Sequence, residues 1–297
     1  VSREGFDGDW LALREPFDAR ARSIALAGQL IDALPADRPP HVFDLGAGTG
    51  SLFRWMAPLI GRAQSWTLVD ADAALLERAL ATVTDWAEGF GWPVTQPGYG
   101  MVLVISPGGV WRVQVLVADL AAGPAALPLF KADAVVSSAL CDLVSRRWAT
   151  VMAGALRVPF YAALNVDGHG GFFPRHAHDR LLDRGFRRDQ IRDKGFGGPA
   201  VGAEAPALLS AAFRAQGFRV HSAGSPWFIP AATPAMADAL SSGHAEAALA
   251  ALPAAAAPRI RAWAAARHAQ AMRGKLSARI GHRDVLALPS GKARLGE

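Results

Sequence analysis

The sequence predicts an open, mostly parallel α/β sheet, and three observations predict it. Apolar β-rich runs alternate with amphipathic helical stretches from residue 41 to about residue 222. A glycine-rich turn joins the first run to its helix, in His41-Val42-Phe43-Asp44-Leu45-Gly46-Ala47-Gly48-Thr49-Gly50. Acidic or hydroxyl residues close the later runs: Asp70, Asp119, and the pair Ser137 and Ser138.

The elements follow in order. Residues 10–34 read as one helix, because Ile24, Ala27, Leu30 or Ile31, and Leu34 fall on one face. Pro35, Pro39 and Pro40 separate it from a strand over 41–45. A helix over 51–60 carries Leu52, Trp55, Met56 and Leu59 on one side, then a strand over 66–69 ends at Asp70 and a helix spans 72–88. Runs 101–105 and 110–117 form a hairpin through Ser106-Pro107-Gly108-Gly109, a segment with turn chemistry, and the second leads into Ala118-Asp119-Leu120. A strand over 133–138, a helix over 143–156 and a strand over 158–166 follow. A helix over 206–216 stops at Gly217, a strand covers 218–222, and the last strand covers 283–288. Between those two strands lies an Ala-rich stretch with two helices, one opened by Thr233-Pro234 and one framed by Pro258 and Gly274. The expected organisation is a helical N-terminal lid over 1–40, a core over 41–231 and 281–297, and a helical insertion over 232–280 within that core.

Composition narrows the function classes. Half of the 297 residues are apolar, enough for a large core, and the single cysteine, Cys141, allows no disulfide within one chain. That usage fits a reducing, cytoplasmic setting. No apolar run is long enough to span a bilayer, and the first residues have neither the basic nor the apolar region of a signal peptide. The net charge of +5 is carried mainly by scattered arginines rather than by a stripe or run, which disfavours nucleic acid as a partner.

The glycine spacing separates two ligand classes. A dinucleotide fingerprint, G-x-G-x-x-G, would put its third glycine at position 51, which is Ser51. The glycines instead occupy 46, 48 and 50, with Asp44 two residues ahead. This pattern resembles motif I of the class I S-adenosylmethionine-dependent methyltransferases. The resemblance implies a Rossmann-like fold, a mostly parallel sheet with a terminal antiparallel strand, and S-adenosylmethionine as cofactor, leaving as S-adenosylhomocysteine. It implies that Asp44, Gly46, Ala47, Gly48 and Thr49 lie around the methionine part of that cofactor. Asp70 and Ala71 would meet the ribose, Asp119 and Leu120 the adenine, and Ser138 the methionine moiety again. Arg14, on the lid, is a candidate for the cofactor carboxylate.

Methyl transfer from a sulfonium needs alignment more than acid–base help, so acceptor contacts are harder to read. Asp142, just after the fourth core strand, is a candidate base or acceptor ligand. Asn165, Asp167 and His169 follow the fifth core strand, and His169 is a second candidate base. Arg192 and Lys194 lead into Gly195-Phe196-Gly197-Gly198, a segment that could close over an anionic acceptor. His176 and His178 have no cysteine or third histidine at useful spacing, so no metal site is expected. The expected activity is methyl transfer to a small or medium-sized acceptor. The alternatives are a methyltransferase acting on RNA or protein, and a binding protein that no longer transfers methyl groups.

Overall fold

The computed structural model describes residues 7–290. The outer ends of the expected lid and core, 1–6 and 291–297, lie outside the described residues. Two helices open the chain, α1 (Gly8–Ala21) and α2 (Ile24–Asp32), where the periodicity predicts one. Arg22 takes an extended conformation between them, and the Ser23 side chain caps α2 by accepting from the Leu26 amide. That capping serine breaks the helix, an N-terminal signal the apolar spacing overrides in a sequence reading.

Strand β1 (His41–Leu45) leads to α3 (Ser51–Ile60), and β2 (Gln64–Asp70) to α4 (Ala73–Gly89). The edge hairpin is larger than expected: β3 (Val94–Gly98) joins β4 (Met101–Ser106), which pairs with β5 (Gly109–Val117). After β6 (Ala134–Ser138) and α5 (Arg146–Ala155), strand β7 (Phe160–Phe173) runs seven residues past its expected end. Helices α6 (Asp179–Gln190) and α7 (Ala205–Ala215) precede β8 (Phe218–Gly224) and the short β9 (Trp227–Ile229). Helices α8 (Pro234–Ala251) and α9 (Ala257–Met272) then lead into β10 (Ser277–Pro289).

The sheet order is β3-β4-β5-β2-β1-β6-β7-β10-β8, with β9 pairing only with β10. Strands β5, β2, β1, β6 and β7 are parallel neighbours, and β10 inserts antiparallel between β7 and β8. This is a Rossmann-like α/β sheet with a terminal antiparallel strand. The chain turns from β1 to β2 on one side and later to β6 on the other, so the switch in strand order lies at β1. Ligand crevices in such sheets open beyond the carboxyl ends of the strands at that switch.

Alternating strand residues feed two cores. Val42 packs with α2, α3 and α4 on one face, through Leu30, Phe53 and Ala79. Phe43 and Leu45 pack with α5 and α7 on the other, through Trp148, Met152 and Phe213. Each fully buried large side chain there contributes roughly 1.5–3 kcal/mol. A third core is the reason β7 and β10 are so long. Their extended ends carry Phe172 and Ala278 against Leu182 of α6, Leu240 of α8 and Trp263 of α9. The helical stretch expected over 232–280 therefore includes the beginning of β10, at Ser277.

Candidate functional site

The loop after β1 is shaped by three left-handed glycines, Gly46, Gly48 and Gly50, with φ of +68°, +52° and +77°. Any side chain in that region would cost about 1–2 kcal/mol per position. The turn lets the Gly46 and Ala47 amides donate to the Val69 carbonyl at 2.8 and 3.0 Å. The Gly48 amide donates to Oδ2 of Asp70 at 2.9 Å, while the Asp72 amide donates to Oδ1 at 3.1 Å. Asp70 is thus not the cap of α4, a role taken by Asp72. It stands at the end of β2 with one bond on each oxygen, which leaves a further lone pair on each for a ligand hydroxyl. Ala71 beside it is exposed. The loop is braced from behind, where Arg54 donates to the Thr49 carbonyl at 2.5 Å and pairs with Glu15 of α1.

Two charged groups under this loop carry unmet polar atoms. Asp44 is buried, and neither carboxylate oxygen has a hydrogen-bond partner. Burial pushes its pKa up to about 8, against the pull of Arg22 and with a further push from Asp70. Arg22 is also buried; its Nη2 donates to Ser51 Oγ at 2.8 Å and to Ser138 Oγ at 3.0 Å, while its Nε has no partner. The unpartnered acid lies in β1 just ahead of the glycine loop, and the arginine with the unpartnered nitrogen reaches Ser51, the first residue of α3. Buried polar atoms are rarely left unmatched, and here both signs of charge are available together. That pair fits an amino-acid zwitterion, an ammonium on Asp44 and a carboxylate on Arg22. Arg22 is the lid arginine that reaches the start of α3 and the end of β6, whereas Arg14 donates to Asp18. The sequence reading missed it because Arg22 lies inside what reads as an unbroken helix.

The remaining cofactor candidates sit at neighbouring strand ends. Asp119 is exposed after β5 and accepts from the Ala121 amide at 3.0 Å. Leu120 is buried, and its carbonyl accepts from Trp148 Nε1 at 2.6 Å. Ser137 is buried against Cys141, with Oγ and Sγ 3.4 Å apart, and burial first pushes the thiol up to about 12. Ser138 ends β6, followed by Ala139 at a strained φ of +53°.

The acceptor candidates divide. Asp142 is not the cap of α5, which is Ser145. Its Oδ1 is buried and unpartnered, and burial raises its pKa to about 6 against the pull of Arg14 and Lys194. Asn165 is fully buried in β7; its Nδ2 donates to the Ala162 and Arg283 carbonyls at 2.9 and 3.0 Å, leaving Oδ1 unpartnered. Asp167 and His169 do not follow the strand but continue it. Asp167 Oδ1 accepts from the His169 amide at 2.9 Å, and the His169 side chain is 79% exposed, away from the buried group. Arg192 and Lys194 both close on Asp189, at 2.6 and 2.9 Å. The glycine segment beyond them is pinned, because Ser145 Oγ donates to the Phe196 carbonyl and Phe196 packs on Trp148.

Arg14 is committed elsewhere too. It donates to both oxygens of Asp18, at 3.0 and 3.2 Å, and lies over the Trp227 ring. Trp227 Nε1 donates to the other side of this clasp, at Asp18 Oδ1, and its ring lies 4.8 Å from His282. His282 of β10 is buried with Nδ1 unpartnered, and its pKa falls to about 4, chiefly through burial. Asp284, two residues on, accepts from the Ser23 amide, the Leu164 amide and Tyr161 Oη at 2.8, 2.8 and 2.6 Å. Its charge and hydrogen bonds, after burial, hold the Tyr161 hydroxyl well above its usual range. These bonds hold Leu164 at φ +56°, where the register between β7 and β10 shifts beside Asn165. Trp227, His282 and Asp284 were absent from the sequence reading of the site. A buried acid inside an apolar strand was the available signal for Asp284.

Among the described residues no three acidic, histidine or cysteine side chains gather to hold a metal, and no helix is long and apolar enough to cross a membrane. His176 and His178 lie with ring centres 5.4 Å apart, and the His178 amide donates to the His176 ring.

No protein-family model and no curated protein matches the chain. Solved structures similar to this chain include a SAM-dependent methyltransferase from Geobacter sulfurreducens in complex with S-adenosyl-L-homocysteine. It is 15% identical over 95% of this chain and 98% of that one, with a TM-score of 0.44. The YcgJ protein from Bacillus subtilis is 15% identical over 91% of this chain and 100% of its own, with a TM-score of 0.46. The cyclopropane synthase MmaA2 from Mycobacterium tuberculosis is 12% identical over 89% of this chain and 83% of its own, with a TM-score of 0.42.

Proposed function

We propose that this chain is an S-adenosylmethionine-dependent methyltransferase acting on a small or medium-sized acceptor. The observation that carries this reading is the set of groups around one loop: the glycine turn, Asp70 with free lone pairs, the unpartnered carboxyl oxygens of Asp44 and the unpartnered Nε of Arg22. An amino-acid zwitterion and a ribose diol, linked as in this cofactor, answer each of those groups. When bound, the cofactor supplies an electrophilic methyl on a sulfonium with a neutral leaving group.

The chain's own share is to bind and align. Asp70 accepts from the ribose hydroxyls, Asp119 and the Leu120 backbone stand at the adenine end, and Ser138 with Arg22 fixes the methionine end. Asp142 and Asn165 stand at the adjoining strand ends, where an acceptor meets the methyl group.

Thermal unfolding tests the assignment. S-adenosylmethionine and S-adenosylhomocysteine at about 100 times their dissociation constants would add about 2.7 kcal/mol of stability, visible as a rise in Tm. The expected result is a rise with both ligands, none with NAD, and a rise no more than about half as large in Asp70→Ala at the same ligand concentration. A rise with NAD instead would replace the assignment with dinucleotide binding.

A further inference from the structure

We propose that the open groove between α6 and the segment 201–204 is a second ligand site, which takes a small molecule carrying a phosphate group on an apolar body. The groove shares no residue with the glycine loop.

Helix α6 turns one face inward and gives the other to this groove. Leu182 and Gly185 are buried, and Gly185 lies so close to α8 that an added Cβ would come within 2.6 Å of the Ala248 Cβ. Arg180, Arg184, Arg187 and Arg188 recur at helical spacing on the other face, over about 12 Å of helix. The facing wall is fixed by backbone bonds: the Val201 amide donates to the Val144 carbonyl and the Gly202 amide to the Asp142 carbonyl, both at 2.9 Å. Between the walls lies a groove of about 600 Å³, which shares Ile191, Val201 and Glu204 with a second of about 400 Å³ beside Arg146 and Arg147. Both volumes are in the range of small-molecule sites.

The positive charge here is uncompensated. Of the three acids of α6, two are used by cations from elsewhere: Asp179 pairs with Arg267 of α9, and Asp189 with Arg192 and Lys194. Asp183 alone is left for the four arginines. Arg187 donates to the Gly168 carbonyl at 2.8 Å, whereas among the described residues the side chains of Arg180, Arg184 and Arg188 have neither a hydrogen bond nor an ion pair. Glu204 is the other acid of the lining; its pair with Arg146 is exposed at both ends, so it is weak and yields to a ligand. Six arginines therefore face two carboxylates across the joined grooves.

The lining selects the ligand. Guanidinium forks match phosphate oxygens two at a time, and several arginines can share one such group. Ile191, 55% exposed, stands in their midst with Val201 and Ala203, so part of the wall is apolar and an inorganic anion would leave it unused. Among the described residues no aromatic ring lines either groove, which disfavours a single-stranded nucleic acid, whose bases stack on such rings.

The test is calorimetry on the full chain without cofactor, at low salt, with hexyl phosphate, inorganic phosphate and hexanol. The expected result is one hexyl phosphate per chain, bound more tightly than inorganic phosphate, and no binding of hexanol. Arg184→Glu and Arg188→Glu should each weaken that binding by about 10-fold or more. Arg112→Glu makes the same charge change on β5, in the other half of the sheet, and should leave it within about twofold, because distant surface charges are screened. All three arginines are exposed, so the variants should keep the wild-type Tm. Hexanol binding as tightly as hexyl phosphate would leave only an apolar cleft, and equal losses in all three variants only a general effect of charge. Tighter binding per phosphate to phosphatidate vesicles or to a short oligouridylate would give this face to a membrane or to RNA instead. Each of those results, or no heat with either phosphate, would overturn the proposal. The cofactor assignment is tested separately, because none of these titrations contains it.

Discussion

Arg22 Nη2 donates to Ser138 Oγ at 3.0 Å, joining the N-terminal helices to the end of β6 across 116 residues of sequence. The same nitrogen reaches Ser51 at the start of α3, so one buried side chain ties together the elements around the glycine loop. Replacing Arg22 with Ala should weaken S-adenosylmethionine binding by about 10- to 100-fold, the worth of a hydrogen bond to a charged group. Lys should restore only part of it, because an ammonium cannot serve two serines and a carboxylate in the guanidinium's planar geometry. Equal dissociation constants for the wild type and Arg22→Ala would show that the arginine is purely structural.

Asp44 makes cofactor binding depend on pH. Its carboxyl is mostly protonated at pH 7 because burial has raised it to about 8, and an incoming ammonium favours the ionised form. Binding should therefore release up to one proton, and affinity should climb from pH 6 toward pH 7.5 by up to about tenfold per pH unit. The rise ends as the ligand's own amino group begins to titrate. Calorimetry in buffers of different ionisation enthalpy counts the protons directly; no release, or uptake, would contradict the assignment.

Two buried histidines should set the acid limit of stability. His244, stacked on Phe186, and His282 both have pKa values lowered to about 4, chiefly by burial, below the ordinary value of 6.5. The unfolded chain takes up protons at both as pH falls below 6.5, while the native state does so only near 4. Unfolding free energy should then drop between those values by up to about 1.4 kcal/mol per pH unit for each histidine. Denaturant titrations on His244→Phe should show a shallower pH slope in that window, and parallel curves would refute the effect.

Gly48 and Asp284 test the backbone. Gly48→Ala puts a side chain at φ +52° with its Cβ 3.1 Å from Leu11 of α1, and should cost about 1–2 kcal/mol in unfolding free energy. Asp284→Asn turns one acceptor into a donor that faces donors, and each stranded group should cost roughly 1–3 kcal/mol. Denaturant midpoints measure both, and wild-type stability in either would show that the backbone relaxes around the change.

The cradle was legible in the sequence because its signal is local: the glycine spacing, the acid ahead of it, and Asp70 at the next strand end. Arg22 was hidden by an apolar periodicity that runs straight through the Ser23 cap. Asp142 stood out as a polar residue just after a strand, whereas His282 did not, because it lies in a strand whose expected start was Arg283. His169 was read from its place after the fifth core strand, Arg14 from the lid, and Arg192 and Lys194 from the glycine segment they lead into; only the fold shows that His169 is exposed and which carboxylates the cations meet. The long ends of β7 and β10 were unreadable for a similar reason, since Gly168, Gly170 and Gly171 look like a loop until α6, α8 and α9 give that ribbon a core.

The most direct measurement is calorimetric titration of the wild-type chain and Asp70→Ala with S-adenosylmethionine, on protein freed of any bound ligand. The account predicts one site per chain in the wild type and a loss of at least about 10-fold in affinity in the mutant, as removal of hydrogen bonds from a charged acceptor requires. A folded wild-type protein that gives no heat of binding with either S-adenosylmethionine or S-adenosylhomocysteine would contradict it.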